Sequence, residues 1–382
     1  MKTKSRFEHF GILPNVRRSG GLELQLRCWV RFSRAVFSEL KSRTGLPWKQ
    51  RVRAWRSGFS SKAWLLYNLA ENNPDLYVAD LRQELKIYKI NGFSNPIVGN
   101  KLVLSRLLAT HQIPHPDVVS IIHDGQLFDA GAPFDPDMPQ ALSRTLDRFP
   151  SQVFRPTWSG SGQGVFFLSR DDDGLKLNGN ELTLEEVCAF LSELDRYLST
   201  EFQEQAAYAR KIYPGSTNTL RILSIWDMSN GAPFIAAVTH RFGTSRSAPI
   251  DNWHLGRGGV CASVDPATST MGKASTRTSD DELIRVSSHP DTAEPIEGVV
   301  IPGLSNCIEG LLKAASQLPF CPLIGWDVVI TEDGFSILEA NTLPGFAVAQ
   351  IHTPLLQDPR TRQFFSRWGM VPGKKTGKVE PV

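Results

Sequence analysis

The sequence predicts an α+β protein in which a mainly helical first segment precedes a larger part that mixes strands with helices. Two observations lead to this fold class. Apolar residues recur at helical spacing over residues 22–40, with arginines on the other faces. From about residue 97 the pattern changes, and short apolar runs bounded by Gly, Pro and Asp alternate with amphipathic stretches, which is typical of strands and helices sharing a domain.

The helical first segment is predicted over residues 1–90. Its helices are expected at 22–40, 47–70 and 76–90, and Asn73-Pro74 separates the last two. A further helix is expected from residue 100 to a break at Ile113-Pro114, where a strand follows.

The rest of the chain is predicted to contain both strands and helices. Strands are expected at 152–156, 165–169, 200–205, 220–227 and 234–242, and helices at 183–198 (with Thr183 as N-cap) and 304–317. Segments 124–140 and 243–300 are rich in Gly, Pro, Asp, Ser or Thr and are expected to be loops. The tail over 371–382 has nothing to bury and is expected to be disordered.

Composition is that of a soluble globular protein. The chain has 382 residues, 41% hydrophobic and 21% charged, which is long enough for two or three domains. The sequence shows no signal peptide and no uncharged run of 18 residues, so no spanning helix is expected. The five cysteines lack CxxC spacing, which favours reduced thiols and a cytoplasmic location.

Positive charge is concentrated at the beginning of the chain. Residues 1–65 carry fifteen Lys or Arg against three Glu, a balance of +12, whereas the whole chain has +3. Such a segment is either a solvated helical face or a surface that makes peripheral contact with a membrane or binds an acidic partner. No base-reading motif accompanies it, so no nucleic-acid role is expected.

A glycine-rich turn joins two predicted strands in VFRPTWSGSGQGVFFLS. Gly160, Gly162 and Gly164 permit positive φ, and Ser159 and Ser161 add hydroxyl donors. Such a turn can wrap backbone N–H groups around an anion. It precedes a strand rather than a helix, which excludes the P-loop and dinucleotide-binding motifs. The alternative is an ordinary hairpin turn.

The segment GWDVVITEDGFSILEANTLPG predicts a hairpin with two carboxylates. A three-residue loop over 332–334 places Asp327 opposite Glu339, and alternation puts Asn341 on the same face as Glu339. Two opposed carboxylates repel each other unless a cation lies between them. With an amide oxygen they form a hard oxygen site suited to Mg²⁺. The alternative is a solvated acidic strand end.

Two arginines lie within apolar strands. Arg221 belongs to LRILSIWD and Arg241 to FIAAVTHRF. An arginine in such a strand needs an acidic or phosphate partner. An ion pair with a core acid and a phosphate contact both satisfy this requirement.

Taken in this order, the glycine turn between strands, the Arg221 strand and the D…E-x-N hairpin resemble the ATP-grasp superfamily over about residues 90–355. The hairpin is similar to the metal motif of the glutamate-ligase branch. The match is best with the sugar-transfer-associated group, which KIN at 89–91, NK at 100–101 and STNTLRI at 216–222 resemble. This resemblance implies two α+β subdomains clasping ATP, over 91–200 and 201–370.

The resemblance also implies ATP and Mg²⁺ as cofactors and a role for individual residues. The implied Mg²⁺ ligands are Asp327, Glu339 and Asn341. The implied ATP-binding residues are Lys101, Arg155, Ser159, Gly160, Ser161, Gly162, Gly164 and, at the hinge, Glu204 and Gln205. The implied residues near the transferred group are Arg221, Arg241, Asn252 and Arg257.

The activity implied is that of an ADP-forming carboxylate–amine ligase acting through an acyl phosphate, on small-molecule or peptide substrates, in cell-surface polysaccharide or peptide modification. Two alternatives stay open: a kinase acting on a hydroxyl, and a non-catalytic ATP-binding scaffold of a polysaccharide system. Arg155 stands where most members of the superfamily have lysine. A planar guanidinium and a compact ammonium are not equivalent on a phosphate.

Overall fold

A helical region is followed by two mixed regions, each built on one antiparallel sheet. The structure is a computed structural model and describes residues 21–371 except residues 43, 159–161, 163, 254–257 and 279–281. Within these ranges the predicted α+β class and the helical N-terminal region are confirmed. No helix of the described ranges is long and apolar enough to cross a membrane.

The helical region is more divided than the sequence predicts. Its helices are α1 (Gly21–Lys41), α2 (Trp48–Ser57), α3 (Ser61–Leu66), α4 (Asp80–Glu84), α5 (Ile87–Asn91), α6 (Asn95–Gly99) and α7 (Lys101–Thr110). The predicted helix over 47–70 breaks into α2 and α3 because Gly58 adopts a φ of +88° and Ser60 then caps a new helix. The predicted helix over 76–90 is likewise divided into α4 and α5. Helix α1 packs against both.

The first sheet has strand order β2-β1-β7-β3-β4-β5-β6, with antiparallel neighbours throughout. Its strands are β1 (Val118–His123), β2 (Gln126–Asp129), β3 (Ser151–Pro156), β4 (Phe166–Asp171), β5 (Gly174–Leu177), β6 (Asn180–Leu182) and β7 (Tyr197–Glu201). Helices α8 (Met138–Arg148) and α9 (Leu184–Ser192) share a core with it, in which Leu142, Phe154 and Leu191 are fully buried.

Three predictions for this region are wrong. The segment 124–140, expected to be a loop, contains β2 and the start of α8. Helix α9 starts after Thr183 as predicted but ends at Ser192, because Arg196 has a φ of +56°, which a helix does not allow. Residues 197 and 198 therefore belong to β7, and the strand expected over 200–205 ends at Glu201.

The second sheet has strand order β12-β11-β10-β9-β8-β13-β14. Its strands are β8 (Leu220–Asp227), β9 (Ala232–Phe242), β10 (Val260–Asp265), β11 (Thr270–Arg277), β12 (Leu283–Val286), β13 (Leu323–Thr331) and β14 (Gly334–Asn341). The prediction of a loop over 243–300 is wrong, since β10, β11 and β12 lie there. Helices α10 (Ala207–Ile212), α11 (Leu304–Ser316), α12 (Ala347–Gln350) and α13 (Pro359–Arg367) complete the described elements.

The last hairpin confirms one prediction and corrects another. Asp327 lies opposite Glu339, as predicted. The turn, however, has two residues rather than three, because Thr331 pairs with Gly334. The shorter turn shifts the pairing by one residue. A bulge corrects the shift, because Asp327 pairs with Glu339 and Val328 pairs with Ile337, which leaves Leu338 without a partner.

Candidate functional site

The three residues expected to bind a metal meet at the end of the β13–β14 hairpin. The side-chain amide Nδ2 of Asn341 lies 3.3 Å from Oδ2 of Asp327 and 3.0 Å from Oε1 of Glu339. The amide thus bridges the two carboxylates. A half turn of the amide presents its oxygen instead, and the three side chains then offer the hard oxygen donors that suit Mg²⁺.

Arginines from β8 and β9 neutralise Asp327. Arg221 binds both carboxylate oxygens of Asp327, with Nη2 2.9 Å from Oδ2. Arg241 contributes a second cation, with Nη2 3.3 Å from the same oxygen. Burial raises the pKa of Asp327, but the two guanidinium groups outweigh it and hold this pKa well below its usual range. In this structure, then, the arginines are paired with a core acid.

Two further cations approach from the first sheet and its preceding helix. Lys101 at the start of α7 is buried, with Nζ 3.6 Å from Oε2 of Glu339. Arg155 on β3 donates to the carbonyl oxygen of Leu338 (3.3 Å) and to Oγ1 of Thr200 (3.1 Å). Burial lowers the pKa of both Lys101 and Arg155, with Glu339 opposing it.

Arg155 retains an unused donor. Its Nε is buried and has no hydrogen-bond partner among the described residues. An unpaired buried donor is costly, and an arriving acceptor would satisfy it. The orphaned donor is compatible with an anionic acceptor at this site.

Charge in this cluster is unbalanced towards the positive. Its side chains are at most 23% exposed and comprise four cations and three acids. The cations are Lys101, Arg155, Arg221 and Arg241, and the acids are Asp251, Asp327 and Glu339. A buried surplus of positive charge is stabilised by an anion. The donor set therefore fits a polyphosphate together with a divalent cation.

The cluster forms one end of a cavity of about 900 Å³. This volume is near the upper limit of the roughly 300–1,000 Å³ typical of ligand sites, so it can hold more than one small molecule. The cavity passes Gly162 and residues 201–203 at and just after the end of β7. Its far wall is made of side chains from the helical region, including Glu39, Tyr67 and Asp80. Sequence reasoning did not anticipate this far wall.

The glycine turn approaches its neighbours closely. Gly162 has a φ of +69° and lines the cavity, and a Cβ there would lie 2.7 Å from Cδ1 of Ile250. Gly164 has a φ of +73°, and a Cβ there would lie 2.6 Å from the Tyr197 hydroxyl. Both positions require glycine for conformation and for space. Ser159, Gly160 and Ser161 lie outside the described residues.

The hinge residues expected to contact adenine lie elsewhere. Glu204 is mostly exposed, with Oε2 3.7 Å from Nη1 of Arg210. Gln205 is buried in a structural network, donating to the Ser216 carbonyl at 2.7 Å. Neither lines the cavity. Because β7 ends four residues before Gln205, residues 201–203 form the cavity wall instead.

The segment after β9 brings one expected and one unexpected residue to the cavity. Asn252 lines it, and Arg257 lies outside the described residues. Asp251, which sequence reasoning missed, accepts a 2.9 Å bond from the Thr219 backbone N–H and lies 3.5 Å from Nε of Arg241. Burial raises the pKa of Asp251, with Arg241 opposing it. In the sequence, the one indication that Asp251 belongs to the site is that it directly precedes Asn252.

Residues 82–362 match the family model described as sugar-transfer associated ATP-grasp. The chain belongs to this family. The resemblance inferred from the hairpin and the glycine turn is therefore confirmed. No curated protein matches the sequence. The family match begins within α4, so α1, α2 and α3 precede it, although α1 and α3 contribute residues to the same cavity.

Solved ATP-grasp structures are distant neighbours of this family member. D-alanyl-alanine synthetase A from Vibrio cholerae is 11% identical, with a TM-score of 0.40, 72% of this chain and 66% of that chain covered. VanG D-Ala:D-Ser ligase from Enterococcus faecalis is 11% identical (TM-score 0.38; 75% and 64% covered). A biotin carboxylase–βγ-ATP complex from Campylobacter jejuni is 9% identical (TM-score 0.41; 73% and 48% covered). The chain spans about half to two thirds of the length of these structures.

Proposed function

We propose that this ATP-grasp protein is a Mg-ATP-dependent, ADP-forming ligase that joins a carboxylate to an amine. The observation that carries the proposal is the cluster in which two carboxylates and an amide meet four cations at one end of a large cavity. The cations would hold the triphosphate. The carboxylates and Asn341 would hold Mg²⁺, which neutralises phosphate charge when bound.

The ion pair between Arg221 and Asp327 suggests that metal and nucleotide bind together. Arg221 engages both oxygens of Asp327, so a metal cation at this carboxylate would compete with the guanidinium for its lone pairs. Phosphate oxygens are a strong alternative partner for arginine. Nucleotide binding would thus release Asp327 for the metal that accompanies it.

In the proposed reaction a substrate carboxylate oxygen attacks the γ-phosphorus, and the bond from this phosphorus to the oxygen of ADP breaks. The amine nitrogen then attacks the acyl carbon, phosphate leaves and the nitrogen loses a proton, giving an amide, ADP and phosphate. Arg221, Arg241 and Lys101 would offset the charge on the transferred group. The rest of the cavity, lined by the helical region, offers room for both organic substrates.

The test is an ADP-release assay with a panel of carboxylates and amines, followed by product analysis. We expect ADP to form only when a carboxylate and an amine are both present, and to fall at least about a hundredfold in Asp327→Ala. Asp227→Asn is the matched control, because Asp227 bonds only to its own turn and does not line the cavity. Full ADP release in Asp327→Ala would overturn the metal assignment.

Two other outcomes would overturn the ligase proposal itself. A phosphorylated hydroxyl product without an amide would identify a kinase. Tight Mg-ATP binding with no turnover across the panel would identify a nucleotide-binding scaffold, for which the replacement of lysine by Arg155 is the supporting observation.

A further inference from the structure

Helix α1 carries an apolar stripe on its outer side. The stripe is formed by side chains that are 50–76% exposed, namely Leu22, Leu26, Trp29, Val30, Phe37 and Leu40. At about 100° per residue these positions fall within about 100° of the helix circumference. They therefore form one continuous face rather than scattered exposed residues.

The opposite side of α1 is the one that faces the protein. Leu24, Cys28 and Glu39 are buried there, and α1 packs against α4 and α5. Arg31 on this side is paired with Glu84, with Nη2 2.9 Å from Oε1. The apolar stripe consequently points away from the molecule.

Exposed cations accompany the stripe. Arg27, Arg34 and Lys41 are exposed along one edge of it, and Lys41 lies 4.2 Å from the ring centroid of Phe37. Helices α2 and α3 add the exposed cations Lys49, Arg53, Arg56 and Lys62. Among the described residues from 21 to 65, Glu23 is the one exposed acid, and it is paired with Arg27.

This combination favours one partner. A second copy of the chain on the stripe would bring like cations together, which is unfavourable. An acidic protein would match the cations but does not require a continuous apolar face. An anionic lipid surface matches both features, because apolar side chains enter the acyl boundary, Trp lies at the interface and Arg and Lys meet the phosphates.

We propose that α1 lies in the plane of an anionic membrane surface and holds the protein there. The side of α1 away from the stripe carries Arg31, Ala35, Ser38 and Glu39, all of which line the cavity. Because a helix is about 10–12 Å across, the cavity would lie about one helix diameter from the lipid headgroups. The site would then be placed to meet substrates carried at that surface.

The experiment is flotation of the full chain with vesicles of phosphatidylcholine, alone or mixed in equal parts with phosphatidylglycerol. We expect binding to the mixed vesicles, little binding to phosphatidylcholine, and release at about 1 M salt, where the Debye length is about 3 Å. Trp29→Glu with Phe37→Glu should lower the bound fraction at least about tenfold, since two large apolar side chains no longer enter the lipid.

Matched variants separate the two contributions. Arg34→Glu with Lys41→Glu should weaken binding only to the anionic vesicles. Met228→Glu with Val300→Glu, at exposed apolar positions outside α1, should leave binding unchanged. Calorimetry with Mg-ATP should give the same affinity for all variants, which separates a failure of docking from a failure of the nucleotide site. The proposal is overturned if the wild type binds no vesicles, if Trp29→Glu with Phe37→Glu binds equally well, or if these changes dissociate a dimer instead.

Discussion

The pair of Arg221 and Asp327 shows how one residue can satisfy two of the patterns read from the sequence. Arg221 in an apolar strand required an acidic or phosphate partner, and in the structure the acid is Asp327. The same carboxylate is the candidate metal ligand on β13. Under the proposed function, nucleotide and metal binding would therefore exchange the partners at this position.

We expect the exchange to make metal binding depend on nucleotide. The wild type should bind Mn²⁺ weakly without a nucleotide and more tightly with one, because Arg221 engages both oxygens of Asp327. In Arg221→Gln, Mn²⁺ alone should bind at least about tenfold more tightly, a gain of about 1.4 kcal/mol or more. Calorimetry measures the affinity for Mn²⁺ with and without nucleotide in the wild type and in the variant. Arg210→Gln, which removes an exposed ion pair, is the control. Wild-type binding of Mn²⁺ that is indifferent to nucleotide contradicts this expectation.

Asp80, on the far wall of the cavity, provides a test based on pH. Burial raises the pKa of Asp80 to about 6, although bonds from Ser60 oppose it. The folded chain then binds more protons at Asp80 than the unfolded chain between about pH 4 and pH 6. The free energy of unfolding accordingly falls as the pH rises through this window.

We expect Asp80→Asn to remove the fall in the free energy of unfolding that accompanies the ionisation of Asp80. The amide oxygen can still accept the 2.8 Å bond from the Ser60 N–H. The free energy of unfolding should rise by about 1–2 kcal/mol at pH 7 and change little at pH 4. Urea unfolding at both pH values measures it, with the exposed Asp75→Asn as control. An equal effect at the two pH values would rule out the titration of Asp80 as the cause.

Among the elements, the β13–β14 hairpin shows which features of register the sequence reveals. Two apolar runs identified both strands, and counting from an assumed three-residue turn placed Asp327 opposite Glu339. The two-residue turn and the bulge at Leu338 were not predicted. The turn shifts the strand pairing by one residue and the bulge shifts it back, so the pairing of Asp327 with Glu339 is the same as with a three-residue turn. The bulge has a long-range partner, since the Leu338 carbonyl accepts from Arg155 on the other sheet. Local patterns contain no information about such a contact.

The three strands between β9 and α11 were missed for a different reason. Two of them, which contain CASVD and TMGKASTR, consist mainly of small and hydroxylated residues, which resemble loops in composition. They are buried because neighbouring strands and α11 cover them, and Ala262 and Ala274 have no exposed surface. The packing of small side chains therefore stabilises these strands, although the intrinsic strand propensity of their residues does not predict them.

The glycine turn offers a test in which conformation and close approach are separated. Gly164 and Gly179 have φ values of +73° and +81°, but of the two only Gly164 has atoms of other residues within 4 Å of the position that a Cβ would take. Both alanine variants should lose about 1 kcal/mol from positive φ. Gly164→Ala should lose a further 1–3 kcal/mol, roughly the cost of overpacking, and should weaken ADP binding.

Thermal unfolding and ADP titration of the two variants provide the readouts. Gly179→Ala should bind ADP like the wild type, because it lies in the β5–β6 turn away from the cavity. If Gly164→Ala also binds ADP like the wild type and unfolds like Gly179→Ala, the close packing of the turn has no functional role.

For the whole molecule, the fold class followed from the sequence, and so did the meeting of Asp327, Glu339 and Asn341, whereas the shape of the cavity did not. The hairpin, the arginine strands and the glycine turn are local patterns, and each was recognised. The far wall depends on how α1 packs against α4 and α5, and no local pattern reports this. Glu204 and Gln205, expected at the hinge, lie beyond the end of β7 at Glu201 and outside the cavity lining.

The uneven distribution of charge along the chain is a property of the whole molecule. Residues 1–65 have a balance of +12 within a chain of net charge +3, so the remainder carries about −9 by subtraction. An anionic surface would attract the helical region and repel the rest. Orientation on a membrane would follow from this asymmetry together with the apolar stripe of α1.

The central claim is that the carboxylates of the hairpin and the surrounding cations bind Mg²⁺ and ATP together. Calorimetric titration with a non-hydrolysable ATP analogue, with and without Mg²⁺, tests it most directly in the wild type and in Glu339→Gln. We expect one site per chain that requires Mg²⁺, and a loss of affinity of at least about tenfold in Glu339→Gln. Binding that is equally tight without Mg²⁺, or unchanged in Glu339→Gln, would contradict the claim.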